Sequence, residues 1–129
     1  MQDIVENSNA KKILIIDDDI LILKSIEKQL KNQNFNLCIV SNPVLAVKLA
    51  FEKEFDLILT DINMYPVNGF EILKKIRAYR PGIPVIVITG SCDENTKNTM
   101  KELGCSDFLV KPIRKKQLID AITNVRQIY

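Results

Sequence analysis

Short runs of aliphatic and β-branched residues recur along the chain at helix-length intervals. Such runs, four or five residues long and without polar alternation, are typical of parallel strands that are buried on both faces. Gly, Pro or Asn stands near many of the boundaries between these runs and the segments that follow them. The pattern predicts five strands, at residues 12–16, 35–40, 56–60, 84–89 and 106–110.

The intervening segments carry apolar residues at the three- and four-residue spacing of amphipathic helices. Asp19 is expected to cap the first helix, Asn42 followed by Pro43 to start the second, and Asn68 to cap the third. The fourth helix, at 94–103, has the thinnest apolar stripe and is a candidate mobile element. The predicted buried stripes are Ile22, Leu23, Ile26 and Leu30; Val44, Val47, Ala50 and Phe51; Phe70, Leu73 and Ile76; Met100 and Leu103; and Leu118, Ile122 and Val125.

Strict alternation of strand and helix with right-handed crossovers places helices on both faces of one parallel sheet. We therefore expect an α/β fold of three layers, doubly wound, with five strand–helix units. Residues 1–11 are expected to form a flexible N-terminal leader, and residues 12–129 a single domain. At 129 residues the chain is long enough to bury one substantial core.

Polar groups follow four of the five predicted strands. Asp17, Asp18 and Asp19 follow the first strand, Asp61 the third, Thr89 and Gly90 the fourth, and Lys111 and Pro112 the fifth. In an open parallel sheet, ligands bind outside the carboxyl ends of the strands. Carboxylates, a hydroxyl and an ammonium group at one sheet edge suit a divalent cation and a phosphoryl group. Gly90 lacks a Cβ, so we expect a backbone N–H to approach the phosphate closely there.

Composition narrows the class of protein. The chain is 47% hydrophobic and 26% charged, which is typical of a globular domain, and no apolar stretch approaches the ~20 residues of a membrane span. It contains no histidine, so histidine-based acid–base or metal chemistry is excluded. A net charge of +2 is too small to indicate nucleic-acid binding. Three cysteines without a Cys-x-x-Cys pair indicate neither disulfides nor zinc and favour the cytoplasm; they are Cys38, Cys92 and Cys105.

With these motifs placed, residues 12–128 resemble a receiver domain of the response regulators of bacterial two-component systems, of the chemotaxis-regulator type. The motifs are an acidic pair after strand 1, an Asp after strand 3, Thr after strand 4 and Lys-Pro after strand 5; here they are Asp17-Asp18, Asp61, Thr89 and Lys111-Pro112. An aromatic residue three positions before the Lys, here Phe108, also matches. The resemblance implies a flavodoxin-like fold with strand order 2-1-3-4-5.

The resemblance also implies a function. Asp61 is expected to accept a phosphoryl group from a phosphohistidine of a histidine kinase or phosphotransfer protein, forming an aspartyl-phosphate. Mg²⁺ is the expected cofactor, bound by Asp18, Asp61 and the main-chain carbonyl of Asn63, with Asp17 acting through water. Crowding of these carboxylates is expected to raise at least one pKa without metal. Lys111 and Thr89 are expected to contact the phosphoryl oxygens.

Thr89 and Phe108 are the expected switch residues. Movement of Thr89 toward the phosphoryl group would leave space for Phe108, and the surface of helix 4, strand 5 and helix 5 would change for a downstream effector or output domain. Phosphorylation-dependent dimerisation is a further expectation from the resemblance. The domain is expected to be a signalling module rather than an enzyme, apart from slow self-phosphorylation and self-dephosphorylation, and to make no direct contact with nucleic acid or membrane.

One departure from the family pattern follows the predicted phosphoacceptor. Tyr65 stands where the family usually has Pro, and Pro66 comes one residue later, so the path of this loop is open. Two alternatives also stay open. One is a phosphatase of the haloacid-dehalogenase type with Asp17 as nucleophile, although the threonine of that pattern is absent. The other is an inactive, receiver-like interaction module. The position of the nucleophile distinguishes the phosphatase, with its nucleophile after strand 1, from the receiver, with its nucleophile after strand 3.

Overall fold

The structure is a computed structural model of the chain and describes residues 10–64, 67–90 and 93–125. Strands and helices alternate in it from end to end: β1 (Lys11–Ile16), α1 (Ile20–Leu30), β2 (Phe35–Val40), α2 (Pro43–Glu52), β3 (Leu57–Asp61), α3 (Gly69–Tyr79), β4 (Val85–Thr89), α4 (Glu94–Glu102), β5 (Asp107–Val110) and α5 (Lys115–Asn124). The strands form one sheet in the order β2-β1-β3-β4-β5, and every pairing is parallel. The predicted fold class and strand order are confirmed, and each predicted strand boundary lies within one residue of the observed one.

The core lies on both faces of the sheet because successive side chains of a strand point to opposite sides. In β1, Leu14 and Ile16 pack into the layer that α2 and α3 cover, and Ile13 and Ile15 pack into the layer that α1 and α5 cover. β3 and β4 are buried along their whole length. β2 is an edge strand, and five of its six residues are only half-buried. The central strands therefore form a fixed frame for the residues at their carboxyl ends.

The helix starts follow the predicted capping. The side chains of Asp19, Asn42 and Asn68 accept hydrogen bonds from backbone N–H groups in the first turns of α1, α2 and α3. Asp93 caps α4 in the same way, accepting from the Thr96 N–H at 2.7 Å. Because four such N–H groups per helix lack partners within the helix, these short polar residues decide where the helices begin.

The predicted stripe of α2 is wrong at Val44, which is 53% exposed. The buried residues of α2 are Pro43, Ala46 and Ala50, so small side chains face the sheet and bring the helix close to it. Val125, predicted in the stripe of α5, lies one residue beyond the end of the helix at Asn124 and is half-buried against the core. Five other predicted stripe residues are half-buried rather than buried: Ile22, Val47, Phe51, Phe70 and Leu103.

Residues 1–9 of the predicted leader lie outside the described residues, and β1 begins at Lys11 after a buried Ala10. Across the described ranges, no helix combines the length and the apolar character that a bilayer crossing requires.

Candidate phosphoacceptor site

The register of β1 and β3 brings two predicted site residues to the same level of the sheet. Ile16 pairs with Thr60, so the next residues along the two strands are Asp17 and Asp61. The backbone N–H of Asp17 still donates to the carbonyl of Val40, which continues the ladder past the end of β1. Both carboxylates therefore stand at the carboxyl edge on rigid backbone.

Asp17, Asp18 and Asp61 form a cluster in which one carboxylate oxygen of each lies within 4.8 Å of the others. Asp17 and Asp61 are 1% and 4% exposed, whereas Asp18 is exposed to solvent. With all three carboxylates ionised, the cluster and the one ammonium beside it, that of Lys111, carry a net charge of −2. A hard, oxygen-preferring divalent ion that keeps some of its waters fits this arrangement, and Mg²⁺ has these properties.

Lys111 lies across the cluster from the end of β5. Its Nζ is 3.4 Å from Oδ2 of Asp17 and 3.3 Å from Oδ2 of Asp61. Its backbone N–H donates to the carbonyl of Thr89 at 2.8 Å, which ties the end of β5 to the end of β4. Burial alone lowers the pKa of Lys111, but attraction to the two carboxylates outweighs burial and raises this pKa above its ordinary value.

Asp17 has both carboxylate oxygens engaged. Oδ1 accepts a hydrogen bond from the backbone N–H of Asp19 at 2.9 Å, and Oδ2 faces Lys111. Burial raises the pKa of Asp17, and the neighbouring Asp61 raises it further. The hydrogen bond from the Asp19 N–H and the charge of Lys111 lower this pKa, but by less. The predicted direction of a pKa shift in the cluster is therefore found here, although burial rather than charge repulsion is its largest cause. Exposed Asp18 is better placed than Asp17 for direct contact with an ion that retains water.

Thr89 and Phe108 lie beside one another, as the predicted switch requires. Thr89 ends β4 and is 3% exposed, and Phe108 is half-buried in β5. Both line a narrow apolar gap beneath α4, together with Ile62, Val87 and Met100. The structure thus brings the hydroxyl of β4 and the ring of β5 into one packed region.

Gly90 follows β4 directly and is exposed. A Cβ built on Gly90 would meet no heavy atom within 4 Å among the described residues, and its φ lies outside the left-handed region. The backbone around Gly90 is therefore open enough to accept a side chain. The expectation that a backbone N–H approaches the phosphoryl group closely here stays a prediction.

Asn63 borders an open groove of about 410 Å³ beside the cluster, and Asp18, Met64 and Asn68 also line this groove. The backbone N–H of Asn63 lies 3.4 Å from Oδ1 of Asp61, which is a long hydrogen bond. Asn63 thus stands next to the predicted phosphoacceptor on the solvent side. Tyr65 and Pro66, the departure from the family pattern, lie outside the described residues.

Gly69 is a residue of this site that sequence reasoning treated only as a helix start. Its N–H donates to the carbonyl of Ile62 at 2.8 Å, so the first turn of α3 lies directly against the end of β3. A Cβ at Gly69 would stand 2.4 Å from the carbonyl oxygen of Asp61. The only signal in the sequence for this contact is that Gly69 lies eight residues after Asp61, the spacing that the family pattern also has.

Comparison with known proteins identifies the family. The family model of the response regulator receiver domain matches residues 13–123, so the chain belongs to this family. The probable transcriptional regulator ycf29 of Pyropia yezoensis is 36% identical, over 88% of this chain and 52% of its own length. The chain spans about half the length of the curated relatives of this kind.

Solved structures agree with this assignment. The chemotaxis protein CheY4 of Vibrio cholerae superposes with a TM-score of 0.84 at 26% identity, over 90% of this chain and 98% of that one. The BeF3-activated receiver domain of DrrB, a response regulator of Thermotoga maritima, has a TM-score of 0.79 at 26% identity, over 88% of this chain and 95% of that one. The chain is a receiver domain of two-component signalling.

Proposed function

We propose that this receiver accepts a phosphoryl group on Asp61 from a phosphohistidine of a histidine kinase or a phosphotransfer protein. The observation that carries the proposal is the position of Asp61, which is buried at the sheet edge between the Lys111 ammonium and two further carboxylates. Asp18, Asp61 and the main-chain carbonyl of Asn63 would hold Mg²⁺, with Asp17 acting through water. When bound, this ion would neutralise negative charge on the carboxylate cluster and on the phosphoryl oxygens.

In the transfer, a carboxylate oxygen of Asp61 forms the new bond to phosphorus while the phosphorus–nitrogen bond of the donor breaks. Such in-line transfer needs positioning and charge stabilisation more than covalent chemistry from the protein. Lys111, whose Nζ already lies 3.3 Å from Asp61, would pair with a phosphoryl oxygen. Thr89, at the end of β4, would donate its hydroxyl hydrogen to another. The raised pKa of Lys111 keeps its ammonium charged for this role at neutral pH.

The proposed consequence is a change of the surface formed by α4, β5 and α5, with Thr89 and Phe108 as the switch. A downstream effector or output domain would bind that surface. The same surface would form the interface of a phosphorylation-dependent dimer. We propose that these residues do not contact nucleic acid or a bilayer directly. We also propose a cytoplasmic location, where the thiols of Cys38 and Cys105 stay reduced. The activity proposed is signalling, with slow self-phosphorylation and self-dephosphorylation. The DrrB receiver has been solved in a BeF3-activated form, which supports the proposal that this receiver is activated by a phosphoryl group.

The proposal is tested by intact-mass spectrometry after incubation with acetyl phosphate and Mg²⁺. We expect one phosphate adduct on the wild type, lost in excess EDTA and lost in Asp61→Asn. Asp19→Asn is the matched control, because Asn still caps a helix and Asp19 lies outside the cluster. An adduct that survives in Asp61→Asn would contradict the assignment of the phosphoacceptor.

The two alternatives predict different results. A phosphatase with Asp17 as nucleophile would turn over the phosphodonor in Asp61→Asn and lose turnover in Asp17→Asn. An inactive interaction module would show neither adduct nor turnover in the wild type.

A further inference from the structure

α4 is held by little apolar burial, and it lies beside the proposed switch. Within the described residues, Met100 is the single buried side chain of this helix. The capping hydrogen bond from the Thr96 N–H to Asp93 fixes its first turn, but that contact is on the surface. Because so little apolar area anchors α4, individual side-chain contacts have a large share in setting its resting position.

The gap between α4 and the sheet is closed in this structure, in which Lys111 pairs with the unmodified Asp61 carboxylate. Thr89, Met100 and Phe108 line it, and it has no room for a water molecule. Because protein interiors are close-packed, a gap too small for a water molecule does not admit a further ring atom unless a neighbouring side chain is displaced. Phe108 can therefore move inward only when a lining side chain such as Thr89 gives way.

Lys97 contacts the other member of the switch. Its ammonium lies over the ring of Phe108, 5.3 Å from the ring centroid. An ammonium is attracted by the face of an aromatic ring within about 6 Å of the centroid. Among the described residues, no carboxylate forms an ion pair with Lys97. The ring of Phe108 is therefore the group that interacts with the Lys97 ammonium.

We infer that Lys97 acts as a latch, whose contact with the ring of Phe108 stabilises the resting arrangement and opposes the phosphorylation-driven one. The inference rests on the proposed function. Since the contact already lies at 5.3 Å, less than about 1 Å of further separation takes the ring out of the range of attraction. Inward movement of Phe108 must therefore break the contact or carry α4 along. Lys97 is in this sense a positioning residue for the switch.

The expected size of the effect follows from the strength of such contacts at partly exposed sites. Loss of the contact should shift the equilibrium between resting and activated arrangements about two- to fivefold. A ligand that binds the activated arrangement should then bind about two- to fivefold more tightly. The simple loss of a positive charge near an anion site predicts weaker binding, so the sign of the change separates the two explanations.

The test uses beryllofluoride with Mg²⁺, in which BeF₃⁻ stands in for the phosphoryl group on the Asp61 carboxylate. The midpoint of the titration is read from the backbone amide signals of β5 by NMR. Lys97→Gln should bind about two- to fivefold more tightly than the wild type, and Lys97→Arg, which keeps a cation over the ring, should match the wild type. Lys101→Gln, on the exposed side of the same helix, is the control and should leave the midpoint unchanged.

A second arm shows whether the ring is the partner. In a Phe108→Leu background, Lys97→Gln should have no further effect on the midpoint, because the two changes remove the same contact. An unchanged or weaker midpoint in Lys97→Gln alone, or a full effect that persists without the ring, overturns the latch. Failure of the wild type itself to respond to BeF₃⁻ and Mg²⁺ overturns the proposed function, and the latch with it.

Discussion

Gly69 allows α3 to begin against the backbone that carries Asp61, and its replacement by alanine is expected to damage both the fold and the site. The added Cβ would lie 2.4 Å from the carbonyl oxygen of Asp61 and 2.6 Å from Cα of Ile62. Ordinary contact begins near 3.4 Å, so the two backbones must separate by about 1 Å. Neither contact atom belongs to a side chain that can rotate away.

The magnitude follows from three contributions to the free energy of unfolding. Overpacking of this kind costs about 1–3 kcal/mol. Weakening the 2.8 Å hydrogen bond from the Gly69 N–H to Ile62 costs about 1 kcal/mol more. The better helix propensity of alanine returns up to about 1 kcal/mol. Because the clash is with backbone, we expect Gly69→Ala to lose roughly 2–3 kcal/mol of stability.

Urea unfolding followed by far-ultraviolet circular dichroism measures this loss, and Gly90→Ala is the control for stability. Gly90→Ala should stay within about 0.5 kcal/mol of the wild type, because its added Cβ meets only open space among the described residues. A shift of Asp61 by about 1 Å should also slow its phosphorylation by about ten- to a hundredfold. A Gly69→Ala protein as stable as Gly90→Ala would refute the reasoning.

Further predictions concern the acidic run and a half-buried thiol. Asp19→Ala removes a helix cap, so it should lose about 1 kcal/mol of stability and keep its affinity for Mg²⁺. Asp18→Asn removes a carboxylate of the cluster, so it should keep its stability and lose affinity for Mg²⁺. Urea unfolding with and without Mg²⁺ distinguishes the two effects. Burial raises the pKa of the Cys105 thiol, with a further contribution from Asp107. Iodoacetamide at neutral pH should therefore alkylate Cys105 much more slowly in the folded protein than in urea, and equal rates would contradict the burial of this thiol.

The pattern of apolar residues in the sequence was sufficient to predict the parallel sheet and the residues at the carboxyl ends of its strands. Unbroken apolar runs identify the central strands, and the topology then brings Asp17, Asp61, Thr89 and Lys111 to one edge, whichever side-chain details follow. The prediction for α2 failed at Val44 because helical spacing alone does not say which of two apolar faces meets the sheet. The face with alanines lies inside, where α2 approaches the strands closely.

Contacts between elements distant in sequence were not predictable. Gly104, which follows α4, has a φ of 91°, and its carbonyl accepts a hydrogen bond from Nε of Arg77 at 2.9 Å. Arg77 also donates to the carbonyl of Ile83, so one side chain of α3 joins the loops before β4 and β5. The position of Lys97 over Phe108 is of the same kind. No periodicity or motif signals such pairs, because they depend on how helices are set against the sheet.

The central claim is that Asp61 is the residue that carries the phosphoryl group, and mapping of the modified residue tests it most directly. Borohydride reduces an acyl phosphate to an alcohol, so a phosphorylated aspartate becomes homoserine. Trypsin places Asp61 in the peptide 54–74 and Asp17 in the peptide 13–24, which mass spectrometry distinguishes. We predict homoserine at position 61 after treatment with acetyl phosphate and Mg²⁺. Homoserine at position 17, or at neither position, would contradict the account.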